Sequence, residues 1–94
     1  MIEVKDAVDN AIHFLKEIRI TELPNLKVEE VYLEKDKYII VTLGWDEERS
    51  LTPLEKMTKP ANTPFPTERI YKSFYIDNDN GKVEKMKIRK VNNG

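Results

Sequence analysis

Residues 29–45 read EEVYLEKDKYIIVTLGW, and the alternation of apolar and polar side chains in this stretch decides the fold of the chain. A period of two residues is typical of a strand with one buried face. The polar stretch EKDK separates two such runs, which predicts an antiparallel hairpin. The side chains assigned to its buried face are Val31, Leu33, Ile39, Val41, Leu43 and Trp45.

Upstream of this hairpin the apolar period changes to 3.6 residues. Apolar side chains recur at three- and four-residue spacing between residues 4 and 18 and fill one arc of a helical wheel. This pattern predicts an amphipathic helix over residues 3–19, and Pro24 bars it from running much further. Val28 has the wrong parity to share a face with Val31, which predicts a β-bulge or a strand start at Glu29-Glu30.

A second hairpin is predicted in residues 69–91, where RIYKSFYID and KVEKMKIRKV flank the turn NDNG. Asn and Asp tolerate the left-handed conformation, and Gly81 adopts it without a Cβ penalty, so the turn chemistry is strong. The inward candidates on these strands are Ile70, Phe74, Ile76, Met86 and Ile88. Lys72 would then share a face with apolar residues.

One helix followed by two hairpins predicts a single two-layer α+β domain, with the helix packed on a four-stranded antiparallel sheet of order 1-2-3-4. A length of 94 residues allows one modest core and no second domain. The order of elements is α-β-β-long loop-β-β.

Composition excludes several classes of function. The formal net charge of −1 gives no whole-molecule attraction to nucleic acid or to an anionic membrane, and there is no cysteine for a disulfide, a zinc thiolate or a nucleophile. No Gly-rich phosphate loop or nucleophile motif occurs, so no enzyme activity, cofactor or metal is expected. The N-terminus MIEVKDAVDNAIHF lacks the basic start and the apolar run of a secretory signal, and no apolar stretch is long enough to span a membrane. We expect a cytoplasmic protein, or an exported one if a signal peptide has been removed.

The closing stretch FYIDNDNGKVEKMKI and the upstream segment VEEVYLEKDKYIIVTL resemble the hairpins of PepSY-type domains, which follow an N-terminal helix. The resemblance covers about two-thirds of the chain. It implies a binding or inhibitory module rather than an enzyme. The chain departs from the family pattern in its long connection between the hairpins and in its lack of an export signal.

The face of the sheet opposite the helix is predicted to collect all four tyrosines, together with Ile40. Tyrosine is enriched at protein interfaces because its ring supplies contact area while its hydroxyl keeps a hydrogen bond. This face and Phe65 therefore form the candidate surface for a protein partner or a homodimer. Its residues are Tyr32, Tyr38, Ile40, Tyr71, Tyr75 and Phe65. The alternatives are that the long connection covers this face, or that the tyrosines only stabilise the sheet.

The last strand is basic and lies beside the predicted tyrosine face. Its cationic residues are Lys82, Lys85, Lys87, Arg89 and Lys90. Lysines beside aromatic rings are used by proteins that bind single-stranded nucleic acid, which makes such binding the alternative function. The acidic net charge and Glu84, which interrupts the run, argue against it. Lysines on an edge strand also protect a sheet against aggregation.

His13 is the only histidine, and Asp9 and Glu17 lie four residues on either side of it along the predicted helix. The three side chains would share one surface stripe, where a metal site or a catalytic group could form. A solvated charged face has the same pattern, and it is the preferred interpretation.

The connection SLTPLEKMTKPANTPFPTER, residues 50–69, divides into two parts. Thr52, Pro53 and Glu55 have the form of a capping box, which predicts a short helix over residues 53–58. The following prolines favour an extended, pre-ordered chain around Phe65. Phe65 and Leu54 either plug the end of the core or stand exposed as a contact loop.

Overall fold

A computed structural model describes residues 2–19, 22–48, 51–58 and 66–88. Helix α1 spans Val4–Ile18 and α2 spans Pro53–Thr58. The strands are β1 (Lys27–Glu34), β2 (Tyr38–Glu48), β3 (Thr67–Asp77) and β4 (Val83–Ile88). They form one antiparallel sheet in the order β1-β2-β3-β4, and α1 packs on one face of it. The predicted α+β architecture and strand order are confirmed.

The core lies between α1 and the inner face of the sheet, by which we mean the face that α1 covers. Ala7, Ala11 and Leu15 of α1 are fully buried. The small alanines let the helix backbone approach the sheet, where larger side chains of the two central strands fill the space. The buried sheet residues of this core are Ile39, Val41, Leu43, Trp45, Phe74 and Ile76.

Two residues predicted to face inward are exposed. Leu33 and Ile88 keep inner-face register, opposite Ile39 and Lys72 respectively, but Ile88 is 73% exposed. Both lie on edge strands, and α1 packs mainly over the middle of the sheet. The alternation of apolar and polar residues therefore predicted the correct face for Leu33 and Ile88. Their burial depended on which part of that face α1 covers.

The pairing of β1 with β2 shifts register between Val28 and Glu30, as the parity of Val28 predicted. A second shift, between Tyr75 and Ile76, was not predicted. Ile76 pairs with Val83 while Tyr75 pairs with Lys85, so Glu84 is the extra residue of this bulge. This local change in pairing lets Val83 pack against the core while Lys85 lies on the opposite face.

The turn between β3 and β4 is held by hydrogen bonds to three parts of the fold. Gly81 adopts φ +75°, and its carbonyl accepts a 2.8 Å bond from the side-chain amide of Asn10 in α1. The buried Asn78 donates from its backbone to the carbonyl of Lys37 in the β1–β2 turn. Its own carbonyl accepts from the amide of Ile2. The turn therefore joins the helix, the N-terminal segment and the other hairpin.

Helix α2 begins with the predicted capping box. The Glu55 amide donates to Thr52 Oγ1 at 3.2 Å, and the Thr52 amide donates back to Glu55 Oε1 at 3.1 Å. Leu54 and Met57 are 70% and 84% exposed, so Leu54 does not plug the core. Phe65, the other half of the predicted plug, lies outside the described residues.

Candidate interaction face

The sheet face turned away from α1, called here the outer face, carries all four tyrosines. Directly opposite residues of an antiparallel pair share a face, and one cross-strand row joins Tyr32, Ile40, Tyr75 and Lys85. The neighbouring row consists of Glu30, Thr42, Ser73 and Lys87. Tyr38 and Tyr71 have the same parity in their strands as Ile40 and Tyr75. The register therefore brings the predicted tyrosine set together on one surface.

The floor of the outer face is buried. Ile40 is 1% exposed between Tyr32 and Tyr75, while Tyr32 is 44% exposed. Thr42 and Ser73 are also buried and join their hydroxyls at 2.7 Å across the central strands. Ile40 thus supports the rings from beneath, and the side chains around it form the surface that another molecule would meet.

Tyr38 and Tyr75 form an aromatic pair on the outer face. Their rings meet edge to face, with centroids 5.6 Å apart. Lys85 Nζ lies 4.5 Å from the Tyr75 ring centroid and 5.5 Å from that of Tyr38, and Lys87 Nζ lies 5.1 Å from Tyr75. Cation–π contacts at exposed sites contribute about 0.5–1 kcal/mol each. The lysines consequently add a modest stabilisation to the ring pair.

The Tyr38 hydroxyl donates a 2.7 Å hydrogen bond to Glu84 Oε2. The bond to this carboxylate raises the pKa of Tyr38, because ionising the phenol would remove the donor and place two negative charges together. Glu84 is the extra residue of the β4 bulge. The bulge therefore brings to the outer face a carboxylate that anchors one tyrosine.

Of the five residues in the predicted basic strand, the structure brings Lys85 and Lys87 against the tyrosines. Lys82 precedes β4, and its amide donates to Asn80 Oδ1 in the turn. Arg89 and Lys90 lie outside the described residues.

A polar cluster, not predicted from the sequence, closes one end of the outer face around Arg69. Its guanidinium donates to Glu29 Oε1 at 2.7 Å, to Asp46 Oδ1 at 3.2 Å and to the Asn25 carbonyl at 2.7 Å. Glu29 lies close over Gly44, and a Cβ there would lie 2.9 Å from its Oε1, so a larger residue at position 44 would push the Glu29 side chain aside. A glycine in the middle of a strand was the one signal in the sequence that something approaches closely there.

The acidic residues 46–48 begin with two carboxylates that have structural partners. Asp46 binds the Arg69 cluster on the outer face. Glu47 lies on the inner face, where it accepts a 3.0 Å bond from the Trp45 indole and pairs with Arg19. The pKa of Glu47 is lowered, chiefly by the indole N–H bond. These carboxylates tie the ends of the sheet to the preceding chain.

The carboxyl group of Asp46 gives a testable dependence of stability on pH. The side-chain amide of Asn25 donates to it at 2.6 Å, and this bond followed by Arg69 lowers its pKa. A carboxyl whose pKa is depressed by folding contributes stability that is complete above its unfolded pKa of about 3.9 and is lost as the pH falls through its folded pKa.

We therefore expect the free energy of unfolding to fall as the pH drops below about 4, with a shallower slope in Asp46→Asn. Asn25→Ala removes the leading hydrogen bond and should also reduce the slope. Urea titrations monitored by circular dichroism at several acidic pH values measure these slopes. Identical slopes in all three proteins would show that the cluster does not depress the pKa of Asp46.

His13 lies on the exposed side of α1, and its Nε2 is 2.9 Å from Glu17 Oε1. Within residues 2–19, 22–48, 51–58 and 66–88, no three side chains of His, Asp or Glu gather as a metal site would require. Of the three residues Asp9, His13 and Glu17 that the helical spacing aligned, His13 and Glu17 therefore form a pair on the helix surface.

In the part of the chain that the structure describes, no helix has the length and apolar character needed to cross a bilayer. Comparisons with protein-family models, with curated proteins and with solved structures give no match to this chain.

Proposed function

We propose that this chain is a non-enzymatic interaction domain that binds a protein surface, its own or another protein's, through the outer face. The observation that carries this proposal is the contact cluster of Tyr38, Tyr75 and Lys85. It lies on a sheet face that α1 leaves uncovered, and the exposed apolar side chains of α2 do not pack over it.

Contacts within the cluster already reduce the side-chain freedom that binding would remove. Immobilising a flexible side chain in an interface costs about 0.5–1.5 kcal/mol, and the ring contacts and lysines have already met part of that cost. Tyrosine supplies a large contact area and keeps a hydroxyl for a hydrogen bond. The resemblance to PepSY-type domains supports the same class of function.

Binding of single-stranded nucleic acid is the alternative, and the lysines over Tyr75 favour it. The same face carries carboxylates at both edges, including Glu29 beside β2 and Glu84 beside Tyr38. Phosphates would meet these acidic groups at close range. We therefore prefer a protein partner, and weak binding of oligonucleotides with a steep salt dependence would reverse that preference.

The proposal is tested by chemical cross-linking of the chain in cells, comparing two double variants. Tyr32→Ser/Lys87→Ser alters the outer face, and the matched control His13→Ser/Lys16→Ser alters the exposed side of α1. We expect the first variant to reduce cross-linked protein adducts about tenfold, because both changes fall on the proposed contact surface, and the control to leave them unchanged. Equal adduct yields from the two variants would contradict the proposal.

A further inference from the structure

The outer face is divided by charge across its width. Its β1 edge carries three carboxylates and one lysine: Glu30 and Glu34, opposite Thr42 and Tyr38, Glu29, which lies over Gly44 and pairs with Arg69, and Lys27, opposite Gly44. The opposite edge carries Lys85 and Lys87 of β4, paired with Tyr75 and Ser73, together with the carboxylate of Glu84, which accepts the Tyr38 hydrogen bond. Three strand spacings separate the two edges, a distance of about 14 Å. The tyrosines lie between a β1 margin of net negative charge, called the acidic margin, and a β4 margin of net positive charge, called the basic margin.

We propose that the partner of the outer face is the outer face of a second copy of this chain, related by a two-fold axis parallel to the strands. This inference rests on the proposed function and names its partner. Rotation about such an axis reverses the order of the strands, so β1 of each copy lies over β4 of the other. The acidic margin then meets the basic margin twice.

The same rotation leaves positions along the strands unchanged, so each cross-strand row lies over its own reversed copy. Glu30 faces Lys87 of the second copy, and Tyr32 faces its Lys85. A two-fold axis perpendicular to the strands would place β1 over β1 and β4 over β4, with like charges opposed. Like charges at an interface cost several kcal/mol, which selects the axis parallel to the strands.

The available area fits a small, weak dimer of this kind. The four strands have 8, 11, 11 and 6 residues, so at about 3.3 Å per residue and a spacing of about 4.8 Å they cover a face of about 570 Å². This area is below the 800 Å² or so that each partner buries in a typical stable interface and is that of a smaller, weaker one. Aligned sheets also pack face to face at about 10 Å, a common arrangement in two-sheet proteins.

Charge complementarity favours a second copy over other occupants. Nucleic acid or a protein surface of one charge would be repelled by one margin of the outer face. The matching surface has a basic edge opposite the acidic one and apolar contact between them. A second copy of the chain provides that arrangement by symmetry.

Reversing the charge of one margin at a time tests the dimer. Lys85→Glu/Lys87→Glu and Glu30→Lys/Glu34→Lys should each weaken self-association at least about tenfold in sedimentation equilibrium, because acid then faces acid or base faces base. An equimolar mixture of the two variants should form a heterodimer as tight as the wild-type dimer, which also shows that both variants fold. Lys5→Glu/Lys16→Glu on α1 makes the same change in net charge as the first variant and should leave association unchanged.

Cross-linking of single cysteine variants tests the axis, since the chain has no cysteine of its own. A short thiol-to-thiol reagent should join Glu30→Cys to Lys87→Cys in a mixture and should not join either variant to itself. Cross-linking of each variant to itself would place β1 over β1 and overturn the parallel axis. Failure of the charge-reversed pair to recover association would also overturn the inference.

A wild-type protein that is monomeric in sedimentation at every concentration would overturn the second copy as partner. If cross-linking in cells still depended on Tyr32 and Lys87, the proposed function would stand with a different protein on the outer face. If that dependence were also missing, both proposals would fail.

Discussion

Trp45→Ala lowers the free energy of unfolding by about 3–5 kcal/mol, the largest single effect that we expect in this chain. Trp45 is fully buried and is the largest side chain of the core. Its removal leaves a cavity against α1 and takes away the indole donor to Glu47 Oε1. It also removes the ring that lies 5.5 Å from the Arg19 guanidinium.

Small domains are stable by only about 5–15 kcal/mol, so this loss is a large fraction of the total. The corresponding fall in melting temperature is at least about 12 °C for a domain of this size. Unfolding of the variant must be followed by circular dichroism, because Trp45 is the only tryptophan. Trp45→Phe keeps most of the apolar volume and serves as the control, with a smaller loss. A loss below about 1 kcal/mol in Trp45→Ala would contradict the burial of this side chain.

Phe74→Ala is expected to cost about 3–5 kcal/mol as well, and it tests where α1 sits on the sheet. Phe74 is fully buried in β3, and its ring meets the Phe14 ring of α1 edge to face, with centroids 6.1 Å apart. Such ring pairs contribute about 0.5–1.5 kcal/mol beyond the apolar area that they bury.

A double-mutant cycle measures that contact directly. Phe14→Ala, Phe74→Ala and the double variant should show a coupling energy of about 0.5–1.5 kcal/mol in urea unfolding. A second cycle with Phe14→Ala and Val31→Ala, in which Val31 is a half-buried residue of β1, is the comparison and should show a smaller coupling. Additive losses for Phe14 and Phe74 would mean that α1 does not pack over β3 in the way described.

The features that the sequence predicted well are those decided by neighbouring residues. The capping box of α2 needs only Thr52 and Glu55, three positions apart, and both of its hydrogen bonds are present. The β1 bulge follows from the parity of Val28 against Val31. Local geometry alone sets these relations, so sequence spacing is enough to find them.

The features that sequence reasoning missed join residues far apart in the chain. Arg69 binds Glu29, 40 positions away, and Asn25, 44 positions away. No period or motif records such a pairing, because it depends on the alignment of three strands. The burial of Ile40 on the outer face had the same origin, since tyrosines of two other strands flank it.

The sequence by itself determined the helix, the two hairpins, their order in the sheet and the grouping of four tyrosines on one face. The periods of 3.6 and 2 residues and the turn chemistry depend on residues that are close together in the chain, so they can be recognised from the sequence. The tertiary structure alone decided which residues of each face are covered. It also decided where the extra residue Glu84 shifts the register of β4, so that its carboxylate meets Tyr38. It also placed acidic β1 and basic β4 at opposite margins of the tyrosine face, because a margin exists only once four strands lie side by side.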